Sequence, residues 1–189
     1  MTDELTPRDF CNPAILLAGS IDQAMYGRFR EQLDAAPEEG LIVCELGTLG
    51  GDPEIARMMG ADVRFHAGVE PERRFVFLGK AAVYSAGATF MSFFPRRNRY
   101  LVSGTRLMIH ERQMSDSVQL AGPLTTCPAI LKAKLHEIEH SILIQNEGFA
   151  SLVEDSKVTL EEVKERAPTN WYIEAEEARA LGLVEGVIS

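Results

Sequence analysis

Three stretches of the chain carry residue types that together could do acyl-transfer chemistry. Ser85 stands in the run Val-Tyr-Ser-Ala-Gly-Ala, just beyond an apolar stretch at 75–79. His110 closes the run Arg-Leu-Met-Ile-His, and Gly50-Gly51 follows the apolar run 41–46. A serine hydroxyl is a poor nucleophile until a base takes its proton, and histidine titrates close enough to neutrality to do so. The oxyanion formed when serine adds to a carbonyl needs N–H donors fixed in advance. The N–H of Ala86, at a helix start, is one candidate. The glycine pair lets the backbone come close enough to supply another. Taken singly, each feature has a plainer reading: Ser85 as a helix N-cap, Gly50-Gly51 as a tight turn, His110 as a solvated strand end.

A second constellation lies further on. His136-Glu137-Ile138-Glu139-His140 matches H-E-x-x-H, which on a helix sets two imidazoles on one face for zinc, with Glu137 as a base. Glu139 puts a charge where such sites are usually apolar, and no third ligand stands out among Glu147, Glu154 and Glu161. An apolar stripe through Ile138 and Ile142 explains the helix without a metal. The expectation is therefore no metal and no cofactor. The nucleophile elbow of α/β-hydrolases wants G-x-S-x-G, but Val83 occupies the first glycine position and the required late histidine is missing.

Apolar strands alternating with amphipathic helices must position these residues. The sequence predicts strands at 14–18, 41–46, 75–79, 99–102 and 106–110. Ser20 with Gln23 reads as a capping box opening a helix to about Leu33, with Ile21, Met25 and Phe29 on its inner face. Gly47–Gly51 reads as a turn, and Asp52 with Pro53 opens a helix to about His66. A helix follows Ser85 to near Pro95. A long helix spans 128–153, its Leu131, Leu135, Ile138, Ile142, Phe149 and Leu152 forming a stripe that needs a partner surface. Thr159 caps a further helix, Trp171–Ile173 is extended, and Gly182 closes the helix from Glu174. Such alternation means βαβ units and a mostly parallel sheet. Ligands bind beyond the carboxyl ends of such strands, which is where Gly50-Gly51, Ser85 and His110 all fall. Residues 111–127 form the one long linker-like stretch, of a length usually functional or mobile.

The 189 residues fit one domain, 1–189, with an ordinary globular balance of 46% apolar and 25% charged residues. A formal charge of −9 disfavours nucleic acid and anionic membrane surfaces as partners. Residues 75–94 are apolar enough to suggest a membrane span, but Lys80, Gly79 and Gly87 break the run into a strand and a helix. Cys11, Cys44 and Cys127 show neither disulfide nor metal spacing. With no signal segment at the N-terminus, a cytoplasmic location is expected.

The segments LLAGSID (16–22), GTLGG (47–51), YSAGA (84–88), LMIHER (107–112), NWYIEAEEA (170–178) and LGLVEGVI (181–188) follow one another in an order that resembles the Clp protease proteolytic subunit. The family shows Asn-Ser-Pro-Gly-Gly, Ala-Ser-Met-Gly, Met-Ile-His-Gln, then an Asp before Ala-x-Glu-Ala, then Gly-Leu. The resemblance covers about residues 14–188. It implies an α/β fold of the ClpP/crotonase-like type, a stack of ββα units with a long handle helix. It implies a serine endopeptidase acting on peptide or unfolded protein inside a ring-shaped homo-oligomer. By the same resemblance Ser85 is the nucleophile, His110 the general base, and Gly51 and Ala86 the oxyanion-hole donors, with Gly50 beside them. The helix 128–153 is then the handle by which rings pair.

Three departures matter. Asn170 stands where the family has its Asp; its carbonyl can orient an imidazole but brings no charge to stabilise imidazolium. In the serine-protease template that exchange costs about 10⁴ in kcat. Gly47-Thr48-Leu49 replaces Asn-Ser-Pro in the glycine turn. About 13 residues precede the first strand, fewer than the family uses to dock its Clp-type ATPase, which counts against that partner. Two other classes compete with an active peptidase: a ClpP-like structural subunit that assembles without cleaving, favoured by Asn170, and a crotonase-type acyl-CoA enzyme, for which the chain is short and His110 unexplained.

Overall fold

The computed structural model describes residues 5–189. Met1 to Glu4, part of the segment read above as lacking a signal sequence, lie outside the described residues. In chain order the elements are β1 (Ile15–Ala18), α1 (Gln23–Ala35), β2 (Gly40–Thr48), α2 (Pro53–Val69), β3 (Arg73–Tyr84), α3 (Ala86–Met91), β4 (Arg99–Val102), β5 (Arg106–Ile109), α4 (Cys127–Val153), α5 (Leu160–Arg166), β6 (Trp171–Glu174), α6 (Ala175–Ala180) and β7 (Gly186–Ile188). The seven strands form one sheet in the order β1-β2-β3-β4-β7, with β5 joined to β3 and β6 joined to β5. All pairings are parallel except β5 with β6.

Successive side chains of a strand point to opposite faces. Ile42, Cys44, Leu46, Phe75 and Phe77 therefore enter the main core beneath the helices, while Val43, Val76 and Leu78 face a smaller cluster with Phe10 and Tyr100. Burial on both faces is why these strands read as continuous apolar runs. In the main core the rings of Phe77, Phe90 and Phe94 meet at centroid distances of 5.3–6.1 Å, mostly edge to face.

One device sets up the site. β3 was expected to stop at Gly79 but continues to Tyr84, twelve residues in all. It bends at Ala81, whose φ is 62°. Before the bend β3 pairs with β4, through Phe77 to Gly79; after it, Ala82 to Tyr84 pair with β5. The buried Thr105 hydroxyl holds the bend, accepting from the Ala81 N–H at 3.1 Å and donating to the Gly79 carbonyl at 3.3 Å. The strand end carrying Ser85 is thereby swung onto β5, the strand that carries His110.

Other expectations need correction. Ser20 does not cap α1. Ile21 instead bridges to Gly51 as a short parallel pair, and the extended chain delivers Asp22 as N-cap, its carboxylate accepting from the Met25 N–H at 2.8 Å. β2 runs through Thr48, so the glycine turn is shorter than 47–51. The stripe of α4 is buried only at Phe149 and Leu152; Leu131, Leu135 and Ile142 are about half exposed, at 49%, 52% and 49%. β7, paired with β4, is a strand the sequence reading did not include; the boundaries of the other predicted elements fall within a few residues. Among the described residues no helix is long and apolar enough to cross a membrane.

Candidate active site

Ser85 sits between the end of β3 and the start of α3, at φ 55° and ψ −113°. A serine held at positive φ is strained, and such strain persists only where the surroundings over-determine it. Here the Ser85 N–H is anchored to the Met108 carbonyl of β5 at 2.9 Å. Its side chain caps no helix N–H, so the plain N-cap reading does not hold. The hydroxyl instead meets His110 Nε2, with Oγ to Nε2 at 2.5 Å. Nucleophile and base are within hydrogen-bond reach.

The glycine turn packs on this pair. A Cβ on Gly50 would lie 3.0 Å from the Ser85 Cβ, and Gly50 has φ 118°. A Cβ on Gly51, at φ 146°, would lie 2.2 Å from the Ile21 carbonyl oxygen. Neither position admits a side chain. Thr48, 3% exposed, fixes the turn: its hydroxyl accepts from the Gly50 N–H at 3.0 Å and donates to the Gly50 carbonyl at 3.1 Å. The bridge to Ile21 uses the Gly50 carbonyl and the Asp52 N–H, which leaves the Gly51 N–H outside it. Ala86 is the first residue of α3, where an N–H has no partner within the helix. Gly51, Ala86, Ser85 and His110 all line one cavity of about 410 Å³. Ile109 and Phe149 also line it, together with residues of α2 and α4. Gly50 is not among the residues that line it.

The imidazole is half-buried, and burial holds its pKa below the ordinary histidine value of 6.5. Among the described residues no carboxylate offsets this. Asn170 ends a short helical turn at φ 59°, immediately before β6. The β5–β6 register sets Ile109 opposite Trp171, and one step further brings Asn170 opposite His110. The Asn170 side chain is exposed, and among the described residues it makes no hydrogen bond to His110. The structure thus brings Ser85, His110, Gly51 and Ala86 together around the cavity and leaves Asn170 beside the group without joining it.

Several lining residues were not legible in the sequence. Arg57 and Arg64 of α2 and Arg112 beyond His110 line the cavity, with Gln145 of α4. The seven-residue spacing of Arg57 and Arg64, on the helical face started by Pro53, is the signal that could have found two of them. Burial works to raise the Glu54 carboxyl, but its hydrogen bonds to Arg112 and Arg57 outweigh that and hold it below the usual range. Arg99, 1% exposed, fixes the back of the site. Its guanidinium donates to the carbonyls of Phe94 at 2.7 Å, Leu152 at 2.6 Å and Ser151 at 2.9 Å, tying the end of α4 to the sheet. His136 and His140 lie on the exposed part of α4, and among the described residues no cluster of three metal-ligating side chains forms.

No protein-family model matches the sequence, and no curated protein matches it. Solved structures do match. One is a mutant of ClpP1 from Listeria monocytogenes bearing an asparagine-to-aspartate replacement, similar at a TM-score of 0.69 and 20% identity. The superposition covers 93% of this chain and 90% of that one. The chain has a ClpP-like fold.

Proposed function

We propose that the protein is a serine endopeptidase of the Clp proteolytic type, with Ser85 as nucleophile and His110 as general base. The observation that carries this reading is the 2.5 Å contact between Ser85 Oγ and His110 Nε2 at the wall of a cavity also lined by Gly51 and Ala86. In this mechanism Nε2 takes the hydroxyl proton as Oγ adds to the scissile carbonyl. The Gly51 and Ala86 N–H groups stabilise the oxyanion. The imidazolium then returns the proton to the leaving amine, and water repeats the sequence on the acyl-enzyme. In this reading Asn170 serves as an uncharged orienter only when its side chain, exposed in the structure, turns inward onto His110. The likeness in fold to a ClpP1 chain supports peptide as the substrate class.

The same reading includes self-association into a ring through α4, whose Leu131, Leu135 and Ile142 lie half exposed along one stripe. Sedimentation showing only a 20.9 kDa species at micromolar concentration counts against that part. Cys11, Cys44 and Cys127 are all unpaired, which supports a reducing cytoplasm as the site of action. The functional test is hydrolysis of small fluorogenic peptides and esters by the wild type, Ser85→Ala and His110→Ala. Both variants lose the activity on this reading; cleavage at an unchanged rate in Ser85→Ala removes Ser85 from the mechanism.

A second reading has an observation in its favour. With no carboxylate among the described residues bonded to the His110 imidazole and the Asn170 side chain in solvent, the chain suits a ClpP-like subunit that assembles but cleaves weakly or not at all. An oligomer that hydrolyses neither substrate supports it.

A further inference from the structure

The backbone just beyond His110 is gripped in a way the proposed chemistry does not itself use. β5 ends at Ile109, and residues 110–121 belong to no helix or strand. Two residues past His110, the Arg112 N–H donates to Gln145 Oε1 of α4 at 2.6 Å. The Arg112 guanidinium donates to Glu54 Oε1 of α2 at 2.5 Å. Glu54 is itself held, because Arg57 donates to its other oxygen at 2.6 Å. On the other side of His110, Met108 accepts from the Ser85 N–H and Ile109 stands in the ladder opposite Trp171.

His110 therefore lies on a short span between a strand ladder and a two-armed clamp. Nothing else described orients the imidazole except Ser85 itself, since no carboxylate acts on it and Asn170 does not bond to it. The backbone on each side must supply the orientation that a buried aspartate supplies in a full triad, though not its charge. The clamp's contribution to stability is small: the Glu54 side chain is 50% exposed, and exposed ion pairs add little. Its geometric consequence is large, because displacing a catalytic group by about 1 Å can cost on the order of 10²-fold in rate.

We infer that Gln145 and Glu54, acting through Arg112, are positioning residues that keep His110 within reach of Ser85. This rests on the reading of Ser85 and His110 as nucleophile and base. Gln145→Leu keeps the bulk and removes the acceptor; Gln145→Glu keeps an acceptor for the Arg112 N–H. Ester hydrolysis and the rate of fluorophosphonate labelling are measured for wild type and both variants. His110 is followed in parallel by NMR of histidine-labelled protein, which needs no activity. The Leu variant should lose about 10-fold or more in kcat and labelling rate with KM within about 2-fold, as expected of a displaced base. Its His110 resonance should broaden and its titration move up toward the free value of about 6.5. The Glu variant should recover most of the rate. A Leu variant that labels at the wild-type rate, or one whose His110 resonance and titration are unchanged, overturns the inference. If the wild type is not labelled at all, the functional reading fails, and the His110 resonance still decides whether Gln145 positions it.

Discussion

Replacing Asn170 by aspartate sets a carboxylate at the register position opposite His110. Burial at present holds the imidazole below its ordinary pKa. An opposite charge nearby favours imidazolium and works against that shift. A carboxylate and an imidazolium 4 Å apart attract by about 1 kcal/mol in water and about 4 kcal/mol at an effective dielectric of 20. The Asn170 side chain is exposed, so the lower part of that range applies. A gain of about 1–2 kcal/mol in the imidazolium-bearing transition state corresponds to roughly 5- to 30-fold in rate. A side chain that turns inward onto Nδ1 brings the gain toward the 10²–10⁴ associated with a full triad. The same interaction raises the His110 pKa, so the acid limb moves to higher pH while the plateau rises. The assay is kcat/KM for a small fluorogenic ester across pH 6–9 in wild type, Asn170→Asp and Asn170→Ala. Asn170→Ala should cost less than Ser85→Ala. An Asp variant no faster anywhere in that range, with its acid limb unmoved, refutes the placing of Asn170 beside the working base.

Three further outcomes are expected. Because burial lowers the His110 pKa, its neutral, base-competent form persists below the ordinary value, so kcat/KM should fall only as pH drops through a midpoint under 6.5; a midpoint above 7 contradicts this. Arg99→Met leaves the carbonyls of Phe94, Ser151 and Leu152 without their buried donor and should destabilise the protein by on the order of 2–3 kcal/mol, read as a lower denaturant midpoint at unchanged slope. Gly51→Ala forces its Cβ into the Ile21 carbonyl at 2.2 Å, so the turn must shift; labelling of Ser85 should fall by about 10²-fold, the scale of one lost oxyanion donor, and labelling at the wild-type rate removes Gly51 from the site.

The parts of the fold that local chemistry dictates were legible in the sequence. Asp52 and Pro53 open α2 as their types require, with the Asp52 carboxylate accepting from the Glu54 and Ile55 N–H groups. The joint placement of Gly51, Ser85 and His110 followed from strand ends sharing one edge of a parallel sheet. What failed depended on contacts distant in sequence. The second half of β3 was missed because Gly79-Lys80 looks like a strand end, whereas Thr105 holds the bend and β5 takes over the pairing. Ser20 looked like a cap because nothing local tells that Ile21 bridges to Gly51. The apolar stripe of α4 was legible as a stripe, but periodicity does not say that only Phe149 and Leu152 find a surface within the chain. Arg99 could not be found as a buried hub, because its acceptors come from residues up to 84 positions away.

The most direct test of the central claim is to treat the purified protein with a fluorophosphonate probe and map the modified residue by mass spectrometry. The probe reports an activated serine without requiring the right peptide. A single adduct on Ser85, absent in Ser85→Ala and strongly reduced in His110→Ala, is the predicted result. An intact, folded protein that carries no adduct on Ser85, or one that labels equally well without His110, contradicts the assignment of Ser85 and His110 as nucleophile and base.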